Sequence, residues 1–127
     1  MDSINYSSIA EQLLNVLPEF QEIYQEMLDY YGEIFPYLLI GSGLVKFTVK
    51  NYEIFQKSQG EDLKSGDILK RIVDFLESCA LSKDEDVIEL IRIGFMEHLD
   101  SNSASFNGLV SILKPESKKL LKEAKNI

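Results

Sequence analysis

The segment from Pro18 to Gly32 carries the pattern that most restricts how this chain can fold. Proline suits the first position of a helix, and glycine suits the residue just past its end. Between the two, apolar residues recur at helical spacing: Phe20, Ile23, Tyr24, Met27 and Tyr31. The segment therefore predicts an amphipathic helix, whose apolar stripe has to pack against other helices.

The same segment carries a second face that is acidic. Its carboxylates recur at the same helical spacing, at Glu19, Glu22, Glu26 and Asp29, and Glu33 follows just beyond Gly32. No basic residue precedes Lys46. Like charges four residues apart cost a helix about 0.2–0.5 kcal/mol per pair, so a face without interleaved lysines is unusual. We expect this surface to bind a basic protein, and we name it the acidic face: Glu19, Glu22, Glu26, Asp29, Tyr30 and Glu33.

Two other interpretations of the acidic face stay open at the level of sequence. It can be a solvated surface of an acidic protein, since Glu19 and Glu22 lie in a first turn, where the helix dipole favours anions. It can also pair with the end of the chain, because residues 114–127 contain five lysines and only two glutamates. The second interpretation would leave the carboxylates unavailable to a partner.

The remainder of the chain also has helical periodicity. A first helix over residues 8–17 is predicted, with Ser8 and Glu11 as a capping box. Another begins at Pro36, and its apolar residues 36–40 are predicted to be buried. The glycines in Gly41-Ser42-Gly43 predict a turn, after which a helix continues to about residue 59.

A polar loop over residues 60–66 precedes a predicted helical hairpin. Asp67 is the expected cap of its first helix, and Ser82 with Glu85 forms a second capping box before a helix ending near Leu99. The short connection predicts antiparallel packing over residues 67–99, like one unit of a HEAT stack. A last helix begins at Pro115. The prediction is an all-α, single-domain bundle of about six to seven helices spanning residues 1–127.

Residues able to support catalysis are few. His98 is the only histidine and stands late in a helix, where it suits the dipole. Cys79 is the only cysteine and lies on the apolar side of its helix, which predicts a buried, inert thiol. The chain has no paired histidines, no CxxC and no phosphate-binding glycine spacing. We therefore expect no enzymatic activity, no metal and no cofactor.

Composition restricts the partners and the compartment. The 127 residues carry a formal net charge of −8, which argues against nucleic acid or an anionic membrane as partner. A single cysteine fits a reducing compartment, and no apolar run has the length needed to span a bilayer. We expect a cytoplasmic protein whose oligomeric state the sequence leaves open.

Three blocks resemble a small uncharacterised family of bacterial domains: Phe35-Pro36-Tyr37-Leu38-Leu39, residues 68–77, and residues 87–99 with Gly94-Phe95-Met96-Glu97. The resemblance implies a helical fold and, for some members, genes near polymorphic toxin genes. In size and charge the chain also resembles acidic helical immunity proteins. Together these imply an immunity or inhibitor protein that occludes a basic toxin domain, such as a nuclease. The alternative is a helical scaffold or adaptor that docks a partner through an apolar groove beside the hairpin.

Overall fold

Proline and glycine delimit the first two helices, as the sequence predicts. Helix α1 covers residues 6–16, a 3-10 turn (Tyr6–Ser8) followed by an α-helix (Ile9–Val16). Helix α2 covers residues 18–31 in the same manner, with Pro18–Phe20 and then Gln21–Tyr31. Leu17 separates them with φ −136°, since a residue before proline disfavours helical geometry. Gly32 ends α2 in the left-handed conformation, φ 79°.

The cap of α1 differs from the prediction. The Asn5 side chain accepts a hydrogen bond from the Ser8 backbone N–H, and the Ser8 hydroxyl donates to Asn5 and Gln12 instead of capping the helix. The predicted pairing of Ser8 with Glu11 is therefore wrong. Asn5 stands three residues before Ser8, so the extra 3-10 turn moves the start of the helix back by one turn.

Helix α3 is continuous over residues 36–57 and corrects the prediction of a turn at Gly41-Ser42-Gly43. It consists of Pro36–Leu38 (α), Leu39–Leu44 (π) and Val45–Lys57 (α). A Cβ on Gly41 would lie 2.9 Å from the carbonyl oxygen of Gly94. The glycines thus permit close packing of one helix on another rather than a reversal of the chain.

The expected burial of residues 36–40 holds only in part. Leu39 and Ile40 are buried, whereas Tyr37 and Leu38 are exposed, as is Phe35 before them. Helix α3 is nevertheless central to the bundle, because α2, α4 and the π-helical part of α5 all pack against it.

Helices α4 (Leu63–Ala80) and α5 (residues 85–98) form the predicted hairpin, but both caps differ. Asp62 accepts from the Ser65 N–H at 3.0 Å, so α4 begins four residues before Asp67 and shortens the predicted loop. Asp84, rather than Ser82, caps α5 by accepting from the Asp86 N–H at 3.0 Å. α5 comprises Glu85–Glu89 (α), Leu90–Phe95 (π) and Met96–His98 (3-10).

Helices α6 (Phe106–Ile112) and α7 (Pro115–Lys125) complete the fold. α7 packs against α4 and α5. Its first turn is capped across the bundle by Glu77 of α4, whose carboxylate accepts from the N–H groups of Glu116 (3.1 Å) and Ser117 (2.9 Å).

The structure, a computed structural model, describes residues 4–127, which contain seven helical segments and no strand, so the predicted all-α bundle is confirmed. One apolar cluster joins the helices, and its largest fully buried side chains are Phe20 and Phe95. Within residues 4–127, none of the helices combines the length and the apolar character that crossing a membrane requires.

Candidate functional site

Helix α2 lies on the surface of the bundle and is held at its first half. Phe20 is fully buried, while no residue of Gln21–Tyr31 is buried. Its contact with α3 forms at Gly43: a Cβ there would lie 3.0 Å from Cζ of Phe20 and 3.4 Å from Sδ of Met27. A glycine in the π-helical part of α3 therefore lets α2 approach closely.

The carboxylates of the acidic face are of two kinds, one that is ion-paired and several that have no basic partner among the described residues. Glu19 forms a two-pronged ion pair with Arg71 of α4, at 2.7 Å (Oε1–Nη1) and 2.5 Å (Oε2–Nη2). The hydrogen bonds from Arg71 lower the pKa of Glu19 to about 2. Glu19 thus joins α2 to α4, and its charge is already compensated within the bundle.

The other carboxylates of the acidic face have no basic partner within residues 4–127. All are exposed, and none lies within 4.0 Å of a lysine or arginine nitrogen in that part of the chain. The Asp29 carboxylate accepts from the Gln25 amide at 2.9 Å, which fixes its position without neutralising its charge. The uncompensated set is Glu22, Glu26, Asp29 and Glu33.

Two lysines of the lysine-rich end of the chain contact other parts of the bundle. Lys114 forms an ion pair with Asp74 of α4 at 2.5 Å, and the Lys125 ammonium donates to the Glu97 carbonyl of α5 at 3.0 Å. No ion pair within residues 4–127 joins a lysine of α7 to the acidic face. The sequence left open whether this end neutralises the acidic face, and in this structure it does not.

A row of exposed aromatic rings borders the carboxylates. The rings of Tyr30 and Tyr31 meet edge to face with centroids 4.8 Å apart, and Tyr31 meets Phe35 in the same way at 6.0 Å. Tyr30 is 81% exposed. Tyr31 belongs to the predicted apolar stripe of α2, yet it is 45% exposed. The left-handed Gly32 and the restart at Pro36 bring these rings together, which periodicity alone does not reveal.

A shallow groove joins the charged and aromatic parts of this surface. It has a volume of about 390 Å³ and lies between α2 and the π-helical part of α3. Glu26 and Tyr30 of the acidic face line it, together with Ile23, Met27, Tyr31, Ser42 and Gly43. A partner side chain with an apolar stem and a cationic head, such as lysine or arginine, matches such a lining.

The residues with catalytic potential do not line this groove. Cys79 is fully buried, as predicted, and burial raises the pKa of its thiol. Nδ1 of His98 lies 3.1 Å from the Ile93 carbonyl oxygen, near the C-terminal end of α5. No group of three metal-binding side chains occurs among residues 4–127.

Together the fold and this surface define a small helical-bundle protein with an acidic and aromatic face. Residues 10–127 match the family described as a domain of unknown function, DUF7674, and the chain belongs to that family. The expectation of an uncharacterised family is thereby confirmed. Comparison with curated proteins and with solved structures gives no match.

Proposed function

We propose that this protein is an inhibitor of the immunity type, which binds a basic protein domain through the acidic face. The observation that carries the proposal is the row of exposed, uncompensated carboxylates Glu22, Glu26, Asp29 and Glu33 beside the exposed ring of Tyr30. Nothing in the packing of α2 requires these four charges, and their mutual repulsion disfavours the helix. Charges that lower the stability of the helix and have no basic partner within residues 4–127 are typical of a surface that binds another molecule.

The proposed mechanism is occlusion of a cationic active site. A nuclease holds its phosphate substrate with lysine and arginine side chains, and the same side chains can pair with carboxylates. The acidic face would occupy that site in place of the nucleic acid. Complementary charge also accelerates encounter, so the association rate is expected to fall as salt rises.

Tyr30 is the expected anchor of the interface. Tyrosine combines a large rigid ring with a hydroxyl and is enriched among residues that dominate binding energy. Its ring is exposed but braced edge to face by Tyr31, so little conformational entropy is lost on binding. We expect Tyr30→Ala to weaken partner binding by about 2 kcal/mol, or roughly 30-fold, as at other interface hot spots.

The test starts with immobilised protein, a low-salt lysate of the native host and elution by a salt gradient. The basic protein that elutes last is then purified, and its affinity is measured against the double variant Glu26→Lys/Asp29→Lys. The matched control, Glu61→Lys/Glu123→Lys, makes the same charge change at exposed positions outside the acidic face. Loss of affinity with the first variant alone supports the proposal, and equal affinity for both variants refutes the site.

A second candidate function is a scaffold or adaptor that docks a partner through an apolar groove. Such a groove, of about 340 Å³, lies between α3, α4 and α6, and its apolar lining is Tyr52, Phe55, Leu69, Val73 and Ile112. This groove lies beside the α4–α5 hairpin, and the scaffold hypothesis requires a docking site there. The salt dependence of partner affinity distinguishes the two candidate functions. Binding through the acidic face should weaken steeply as ionic strength rises, whereas binding by apolar contact depends only weakly on it.

A further inference from the structure

Another groove is lined by none of the residues of the acidic face, and lysines stand along one of its walls. Its volume is about 570 Å³, within the range of small-molecule sites. The second half of α3 forms one wall, and the segment from the end of α5 into α6 forms the other. The apolar residues that line it are Val45, Val49, Ile54, Leu99, Phe106 and Leu109.

Three lysines stand along the α3 wall of this groove. Lys46, Lys50 and Lys57 fall within about 40° of one another at the roughly 100° per residue of an α-helix. All three are exposed, and none lies within 4.0 Å of a carboxylate among residues 4–127. Lys46 and Lys50 are four residues apart, a like-charge spacing that disfavours the helix.

The acidic groups of the groove are fewer than its lysines. Glu53 and Asp100 also line it, and an Asp100 oxygen accepts from the Asn102 N–H at 2.9 Å. Glu53 lies about 4.5 Å along the helix from Lys50 and about 10 Å from Lys46, at about 1.5 Å per residue. The lining thus holds three lysines against two carboxylates, a net positive charge in a chain whose net charge is −8.

We propose that this groove binds a free organic anion with an apolar chain, such as a medium-chain carboxylate. The carboxylate would pair with Lys46 and Lys50, and the chain would lie on the apolar floor beside Val49 and Phe106. Charge complementarity and an apolar floor are both needed for such a ligand. The source is a molecule in solution, because a protein of this net charge is repelled by an anionic membrane surface.

Titration calorimetry with sodium decanoate on the full chain tests the proposal. Saturable one-to-one binding is expected, with the double variant Lys46→Gln/Lys50→Gln weakening it at least about fivefold, as loss of one ion pair at about 4 Å in water would do. Decanol and decyltrimethylammonium should bind more weakly than decanoate. Absence of saturable binding, or equal binding of decanol, overturns the proposal.

A matched lysine distinguishes this groove from the apolar groove between α3, α4 and α6. Lys70 lines that second groove, and Lys70→Gln is expected to leave decanoate affinity unchanged. NMR chemical shifts should move at Val49 and Phe106 and stay constant at Leu69 and Val73. A loss of affinity confined to Lys70→Gln, or stronger binding to vesicles of anionic phospholipid than to decanoate, overturns the proposal.

Discussion

The guanidinium of Arg71 donates hydrogen bonds to both carboxylate oxygens of Glu19, at 2.7 and 2.5 Å, and to the Val16 carbonyl at 3.0 Å. Arg71 is thereby bound to the end of α1 and the start of α2 at once, and Asp67 holds it from its own helix. One side chain of α4 thus joins the end of α1 to the start of α2, the helix that carries the acidic face.

Breaking this pair should make the protein less stable at neutral pH but not in strong acid. Glu19→Gln is expected to lower the free energy of unfolding by about 1 kcal/mol at pH 7, since the pair is partly open to solvent and therefore screened. The pKa of Glu19 is about 2 when folded against an ordinary 4.5. The pair's contribution is therefore complete above pH 4.5 and is lost as pH falls towards 2.

Urea unfolding at pH 7, 4.5 and 3 measures that dependence. The difference in the free energy of unfolding between wild type and Glu19→Gln should be smaller at pH 3 than at pH 4.5. Glu22→Gln is the control, because Glu22 has no basic partner within residues 4–127. A gap that is independent of pH would show that the ion pair contributes little.

Reversing a charge on the acidic face should leave the fold intact or stabilise it. Glu26→Lys converts the like-charge pairs with Glu22 and Asp29 into attractive ones, each worth about 0.2–0.5 kcal/mol. We expect the melting temperature to rise by about 2–5 °C. Thermal denaturation measures this, with Glu61→Lys, outside any helix, as control. A clear fall in melting temperature would mean that Glu26 has a structural role.

The glycines of α3 should tolerate alanine to different degrees. Gly41→Ala would place a Cβ 2.9 Å from the backbone oxygen of Gly94, which cannot move aside without shifting α5. Gly43→Ala would meet the ring of Phe20 at 3.0 Å. We expect losses of about 1–3 kcal/mol, larger for Gly41, as for other overpacked sites. Chemical unfolding measures both, and Ser42→Ala, at an exposed position, should change stability by less than about 0.5 kcal/mol.

Removing the carboxylate of Glu77 should loosen the last helix. It caps α7 by accepting two backbone hydrogen bonds, and a lost cap costs about 1 kcal/mol. Glu77→Ala is expected to speed amide hydrogen exchange in α7 more than in α4, the helix that carries the substitution. Glu123→Ala, exposed within α7, is the control. Equal acceleration in both helices would mean global destabilisation instead of loss of the cap.

Cys79 should react with thiol reagents only when the protein unfolds. The side chain is fully buried, and burial raises the pKa of the thiol, so the reactive thiolate is scarce. Labelling with an aromatic disulfide at pH 8 should therefore follow the unfolding rate. Ser78→Cys in a Cys79→Ala background places a thiol one residue away at an exposed position and should react at once. Rapid labelling of native Cys79 would contradict its burial.

Much of the acidic face followed from local pattern. Glu22, Glu26, Asp29 and Tyr30 were expected on one exposed surface because helical periodicity fixes which residues share a side, and the structure exposes all four. The role of Glu19 could not be inferred in this way. Its partner Arg71 lies 52 positions away, and periodicity carries no information about distant pairs.

The sequence by itself determined the helical class, the ends of α2 at Pro18 and Gly32, the start of α3 at Pro36 and the burial of Cys79. These depend on φ restrictions and on the 3.6-residue period, which act within a few residues. Tertiary structure decided that Gly41 and Gly43 lie inside a helix, that Glu77 caps α7 and that the lysines of α7 avoid the acidic face. Each of these needs a surface from another helix, and only the folded bundle supplies it.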